Sequence, residues 1–331
     1  MTLCGESAGA MSVLALLSRD DGLFQQAIVQ SGTAHIGQAP GDAALVLDAV
    51  ALRLEVPATA EALAAVEISK LIEAQGAVSA DVSQSADAAR FGPSTIASCG
   101  LSFMPVIDGD VLTRPPIQAI ADGAGSGVPL LMGTTAEEFR LFVMTSDLLL
   151  LGTAELFKTR LAAYGAPGEF YDLYKAGGSG AYPRNAASGI ACAVLTDRMF
   201  RIPTYRVAEA RTGPSTPTYV YEFGWRSPVM PNSMRVQLGA CHSLDLPFAW
   251  DTLDLPENRG FTGPNPPQAL ADALHRAWAE FAAAGDVSWK PYDRIDRTVM
   301  AYHYNNSGTD LTVNDPRGDE RRRWDGLLPT H

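Results

Sequence analysis

Apolar positions fall into two patterns along this chain: short continuous runs, and longer stretches at helical spacing. The apolar stub at residues 1–4 runs into Gly5-Glu6-Ser7-Ala8-Gly9, and a helix-forming run follows at 10–17. Gln26–Gln30, closed by Ser31-Gly32, reads as a strand. Val128-Pro129-Leu130-Leu131-Met132-Gly133 reads as a buried strand of the kind found in parallel sheets. Thr218–Phe223, rich in β-branched and aromatic residues, reads as another. Residues 43–75, interrupted at Pro57, and 154–176 carry helical spacing, and the Gly/Ser/Pro-rich stretch 177–183 reads as a loop. Residues 266–284 predict a helix with Asn265 as N-cap, proline at its start and Gly285 beyond its end. Strands alternating with helices predict an α/β domain with a parallel sheet.

Gly5-Glu6-Ser7-Ala8-Gly9 fits the G-x-S-x-G pattern, in which a strand turns sharply into a helix and exposes a strained serine hydroxyl. Glycine on both sides is expected because a Cβ at either position would crowd the turn. A nucleophilic serine needs a base within hydrogen-bond reach and a carboxylate to orient that base. Where the serine sits on such an elbow, the acid and then the histidine follow it in the chain.

Of the five histidines, His275 falls in a predicted helix and His331 is terminal, while His35 and His303 lie in loop-like sequence without a supporting pattern. His242 stands apart, in Gly239-Ala240-Cys241-His242-Ser243-Leu244-Asp245-Leu246-Pro247-Phe248. Gly133-Thr134-Thr135-Ala136-Glu137-Glu138, following the apolar run at 128–132, offers two carboxylates where parallel sheets gather their functional groups. Position alone does not choose between them.

At 331 residues the chain has room for one large domain or two small ones, and 47% hydrophobic with 19% charged residues is an ordinary globular composition. A formal charge of −12 without a basic stripe argues against a nucleic-acid surface. The apolar run at 148–151 is far too short to cross a membrane. Cys4, Cys99, Cys192 and Cys241 have no metal-ligand spacing and read as buried, reduced thiols. Asn305-Asn306-Ser307 is a glycosylation sequon that matters only in a secreted protein, and the sequence leaves localisation and oligomeric state open.

These motifs together resemble the type-B carboxylesterase family, which includes para-nitrobenzyl esterases and cholinesterases. The family's elbow carries glutamate before the serine, as Gly5-Glu6-Ser7-Ala8-Gly9 does. The likeness continues through Gly22-Leu23-Phe24, Ala27-Ile28-Val29-Gln30-Ser31-Gly32 and Phe103-Met104-Pro105-Val106-Ile107-Asp108-Gly109. It extends to Thr196-Asp197 with Phe200 and Pro203, then Tyr221, Phe223 and Trp225, and finally Trp289, Pro291 and Tyr292.

The resemblance implies an α/β-hydrolase fold with a helical cap at about 140–215, and hydrolysis of small carboxylic esters without cofactor or metal. It implies Ser7 as nucleophile, His242 as base, Glu138 rather than Glu137 as acid, and the Ala8 N–H as an oxyanion donor. Glu6, Ser31 and Asp245 would support these three, and Glu137→Gln would leave turnover nearly unchanged. Phe139 departs from the family's usual glycine and makes the surroundings of Glu138 bulkier. With Phe142, Trp225 and Trp250 it suggests that apolar groups are accommodated.

Family chains carry further strands and a glycine-rich oxyanion turn before the elbow. The given sequence opens at the elbow, with Met1 where valine is common. The expectation is therefore an incomplete hydrolase fold, from an internal start codon or a truncated gene. Its elbow strand would be an exposed edge and its oxyanion hole would lack donors, each worth about 2.7–4 kcal/mol in the transition state, so the chain as given is expected to have reduced or no activity. Gly177-Gly178-Ser179-Gly180 is the nearest substitute turn, placed in the expected cap. The alternative is a non-catalytic remnant or binding module of the same family. Retention of Ser7, Glu138 and His242 favours the enzyme.

Overall fold

The structure is a computed structural model that describes residues 1–144, 152–176, 184, 186–211, 216–231, 236–302 and 311–328. Its centre is a 6-stranded sheet in chain order: β1 (Thr2–Glu6), β2 (Gln26–Gln30), β3 (Leu130–Thr135), β4 (Thr218–Phe223), β5 (Thr298–Tyr302) and β6 (Leu311–Asn314). The first five strands run parallel and β6 is antiparallel to β5.

Both faces of the sheet are covered, which is why its central strands read as continuous apolar runs. Ala27, Val29, Leu130, Met132 and Val220 join the elbow helix Ala8–Leu17 in one core. Ile28, Leu131, Tyr219, Tyr221 and Phe223 face the other way, against the helix Gln268–Ala284. That helix presents Leu270, Ala271, Leu274, Ala277, Trp278 and Phe281 as a single buried stripe. Among the described residues, only helices and helical turns lie between β3 and β4.

Several boundaries differ from the sequence reading. The strand predicted from 128 starts at Leu130, because the Val128 N–H closes a turn onto Gly125 O at 3.0 Å and Pro129 has no N–H to give a ladder. The helix predicted from Pro266 starts at Gln268, with Pro267 and not Asn265 as its cap. A residue before proline is pushed out of helical geometry, and Pro266, ahead of Pro267, lies outside the helix. The stretch 154–176 divides into Ala154–Ala163 and Phe170–Ala176, with Gly165 in the left-handed region and Pro167 between them. β5 and β6 were not anticipated, and the loop expected at 177–183 lies outside the described residues.

At the elbow, β1 ends at Glu6, Ser7 takes φ 54° and ψ −119°, and the helix begins at Ala8. The two glycines flanking the serine are not equivalent. A Cβ on Gly5 would meet Gly9 C and O at 2.4 Å and Ala10 N at 2.7 Å, whereas one on Gly9 would meet nothing within 4 Å. Gly9 sits on the exposed side of the first helical turn, so the expectation that both positions need glycine is corrected to Gly5 alone.

Gly5→Ala should therefore lower the urea unfolding midpoint, at about 1–3 kcal/mol, because its Cβ would press on helix backbone that cannot swing aside. Gly9→Ala should be neutral or slightly stabilising. Equal losses from the two substitutions would refute this account of the turn.

Candidate active site

The residues singled out in the sequence come from four loops at the carboxyl ends of adjacent parallel strands. Ser7 follows β1, with its N–H donating to Gln30 O at 2.9 Å; Ser31 follows β2, donating to Gly133 O at 2.8 Å. Glu138 lies just beyond β3, and His242 lies in the long connection after β4. The acid and histidine loops are joined through their backbones: Glu137 N donates to Ala240 O at 2.9 Å, and His242 N to Glu138 O at 3.3 Å.

Ser7 Oγ is 2.8 Å from His242 Nε2, and His242 Nδ1 is 2.6 Å from Glu138 Oε2. With a proton on Nδ1 donated to Glu138, Nε2 is left to accept from the serine hydroxyl. Glu138 is fully buried, and its other oxygen accepts from Ser31 Oγ at 2.6 Å and Thr135 N at 2.8 Å. A buried carboxylate is tolerated when its lone pairs are filled in this way. Phe142 and Phe200 lean on the imidazole with ring centroids 5.2 and 5.0 Å away, and Phe139 packs against both phenyl rings. Phe139 is thus part of the packing behind the histidine.

Two further acids stand close. Glu6 Oε1 is 3.2 Å from His242 Nε2 and accepts from Ser243 Oγ at 2.6 Å. Burial raises the Glu6 pKa, opposed by His242 and Ser243. Asp245 is fully buried, and its Oδ2 accepts from Gln30 Nε2 and Tyr221 OH, both at 2.9 Å. Burial raises its pKa as well, with the hydrogen bonds opposing the rise. Burial alone would lower the pKa of His242, but Glu138, Glu6 and Asp245 outweigh it and the net direction is up from 6.5. Ala8 opens the elbow helix, where first-turn N–H groups have no intrahelical acceptor.

Sequence reasoning did not find Gln30, Thr135, Tyr221 or Ser243 as participants, although Gln30 and Ser243 adjoin residues it did choose. It set Glu137 aside as the acid that does not orient His242 and assigned it no structural role. The structure places Glu137, buried, between the two loops: Oε2 accepts from Ala240 N at 3.0 Å and is 3.0 Å from Arg226, and Oε1 is 3.3 Å from Arg140. Arg140 in turn donates to Leu238 O at 3.1 Å. Cys4, Cys99, Cys192 and Cys241 are free thiols, with Cys192 and Cys241 buried and the other two partly so. Burial pushes Cys4 to about 11 and Cys192 to about 12. Among the described residues, no group of three or more His, Cys, Asp or Glu side chains could hold a metal, and no helix is long and apolar enough to cross a membrane.

The model of the carboxylesterase family matches residues 1–317. The para-nitrobenzyl esterase of Bacillus subtilis (strain 168) is 29% identical over 98% of this chain and 61% of its own length. The phenmedipham hydrolase of Pseudarthrobacter oxydans is 26% identical over 60% of this chain and 40% of its own length. A crystal structure of a Geobacillus stearothermophilus carboxylesterase superposes with a TM-score of 0.78 at 28% identity, covering 98% of this chain and 63% of that one. The chain thus spans less than two thirds of the length of each of these relatives.

Because Glu137 ties the acid loop to the histidine loop, Glu137→Ala should destabilise the fold by about 2 kcal/mol in urea titrations. Glu137→Gln should lose less, since its amide oxygen can still accept from Ala240. An unfolding midpoint unchanged in Glu137→Ala would show that this carboxylate does not hold the two loops together.

Proposed function

The chain belongs to the carboxylesterase family and has its α/β-hydrolase fold, and from that premise we propose that it hydrolyses carboxylic esters through Ser7, His242 and Glu138. The observation that carries this reading is the unbroken hydrogen-bonded path from Ser7 Oγ through both imidazole nitrogens to Glu138, at 2.8 and 2.6 Å. Ser7 Oγ attacks the ester carbonyl while His242 Nε2 takes its proton, and Glu138 stabilises the imidazolium. The tetrahedral intermediate collapses, His242 returns the proton to the departing alcohol, and an acyl-enzyme remains. Water then attacks the acyl carbon with His242 again as base, releasing the acid and restoring Ser7. In this reading the Ala8 N–H, in the first turn of the elbow helix, is a donor to the developing oxyanion. The phenyl rings of Phe142 and Phe200 beside the imidazole favour esters with apolar groups. The likeness to a para-nitrobenzyl esterase makes p-nitrophenyl and p-nitrobenzyl esters suitable probes.

A fluorophosphonate probe should label Ser7, and Ser7→Ala should abolish both labelling and turnover of p-nitrophenyl acetate. Labelling that survives the substitution would move the nucleophile elsewhere. A chain that takes no probe would instead be the non-catalytic alternative.

Glu138→Gln should lower kcat by orders of magnitude, roughly 10⁴-fold, because the amide neither stabilises imidazolium nor enforces the needed tautomer. Turnover should also decline as pH falls through the His242 pKa, raised above 6.5, since the base must be neutral. A pH–rate profile flat between pH 6 and 8 would rule out His242 as that base.

A further inference from the structure

Three serines at the site share an unusual backbone: Ser7, Ser31 and Ser243 have φ of 54°, 54° and 64°. In this left-handed region a side chain crowds the following carbonyl, at roughly 1–2 kcal/mol, and glycine is the easy occupant. Each of the three directs its hydroxyl at the same cluster. Ser7 Oγ meets His242 Nε2, Ser31 Oγ meets Glu138, and Ser243 Oγ meets Glu6 at 2.6 Å. The first is the proposed nucleophile and the second fills a lone pair of the acid. The third has no role in the reaction as described above.

One carboxylate oxygen connects Ser243 to the histidine. Glu6 Oε1 accepts from Ser243 Oγ and stands 3.2 Å from His242 Nε2, the nitrogen that also faces Ser7 Oγ at 2.8 Å. When Nε2 carries the serine's proton, Glu6 and the departing alkoxide compete for it. A bare carboxylate at that distance in a half-buried site would hold the imidazolium as an ion pair and slow return of the proton. A hydroxyl donating to the same oxygen withdraws part of its charge and fixes its position.

We propose that Ser243 is a positioning residue whose hydroxyl pins Glu6 Oε1, so that this carboxylate shares the proton on His242 Nε2 without capturing it and the histidine becomes neutral at a lower pH. The catalytic consequence rests on the preceding assignment of Ser7 and His242; the linkage itself does not. The titratable groups facing Glu6 are His242 and Asp245 on the histidine loop and Glu138 beyond β3, and those facing His242 are Glu138, Glu6 and Asp245. The direction follows from which form each bond favours. The Ser243 hydroxyl donates to the ionised carboxylate, so removing it makes the Glu6–His242 pair more basic and the pair keeps its proton to higher pH.

The test is an NMR titration of the His242 Cε1–H in the full chain, its signal identified by its loss in His242→Gln. Ser243→Gly removes the hydroxyl while easing the left-handed backbone, which protects the fold. It should raise the midpoint by about half to one pH unit. In a Glu6→Gln background the same substitution should move it by no resolvable amount, because the linkage runs through the carboxylate. Ser243→Ala should repeat both results. An unchanged or lowered midpoint in Ser243→Gly, or an equal rise in the Glu6→Gln background, would overturn the inference. The pH dependence of fluorophosphonate labelling should show the same upward displacement of its acid limb. A displaced titration in a protein that never labels would uphold the linkage and overturn the nucleophile assignment alone.

Discussion

The backbone turn at Ser7 is the constraint from which the site follows. A strand can enter a helix within one residue only if that residue takes a conformation that crowds an ordinary side chain, and only if the strand and the first helical turn approach very closely. Gly5 permits the approach: a Cβ there would lie 2.4 Å from Gly9 backbone atoms. Once the turn is made, the helix Ala8–Leu17 packs on one face of the sheet and the hydroxyl is held above the strand ends. The Ser7 N–H is satisfied by Gln30 O, so the strained residue is also hydrogen-bonded to the neighbouring strand. Strain of this kind persists where surrounding structure over-determines it.

Above that turn the site is an electrostatic balance. Three carboxyl groups surround one imidazole, each stabilised differently. Glu138 is deeply buried but filled by His242, Ser31 and the Thr135 N–H. Asp245 is equally buried, yet its Oδ1 has no hydrogen-bond partner among the described residues, and burial raises its pKa. Glu6 is less buried and shares one oxygen between Ser243 and His242. Burial is the first cause of the upward directions at Glu6 and Asp245, repulsion among the acids adds to it, and at His242 the same acids outweigh burial and favour the charged imidazole.

Much of this was legible in the sequence because local chemistry and tertiary demand coincide there. The elbow, Gln26–Gln30 and Thr218–Phe223 were readable since turn residues and apolar runs need no partner to be recognised. β6 was not, because all four of its residues are exposed and, among the described residues, it pairs only with β5. The start of the Gln268–Ala284 helix was misread because the second of two prolines governs the first. The structural role of Glu137 went unread for a deeper reason. Nothing in Ala136-Glu137-Glu138 says that one acid will face the histidine and the other Arg140 and Arg226; that choice is made by loops about a hundred residues apart meeting in space. Ser243 was invisible for the same reason, since its significance lies in a φ of 64° and in Glu6 at the end of β1.

The packing behind the histidine carries this dependence into the helices between β3 and β4. A single π-helical turn, Asp197–Arg201, joins the helices Ala187–Thr196 and Ile202–Ala210. Such turns widen a helix by one residue and are frequent near functional sites. On its site-facing side Thr196 Oγ1 accepts from Phe139 N at 3.2 Å, and Phe200 leans on His242. Arg201, almost fully buried, grips Asp197 at 2.5 and 2.6 Å and donates to Pro316 O at 2.9 Å. Tyr174 also donates to Asp197, and Trp324 Nε1 to Tyr174 at 2.8 Å. A buried ion pair of this kind adds little net stability over an apolar packing, but it tolerates few alternative geometries. The π turn therefore fixes the ring behind the imidazole by a charge network anchored near residues 316–324. The orientation of His242 accordingly depends on segments drawn from nearly the whole length of the chain.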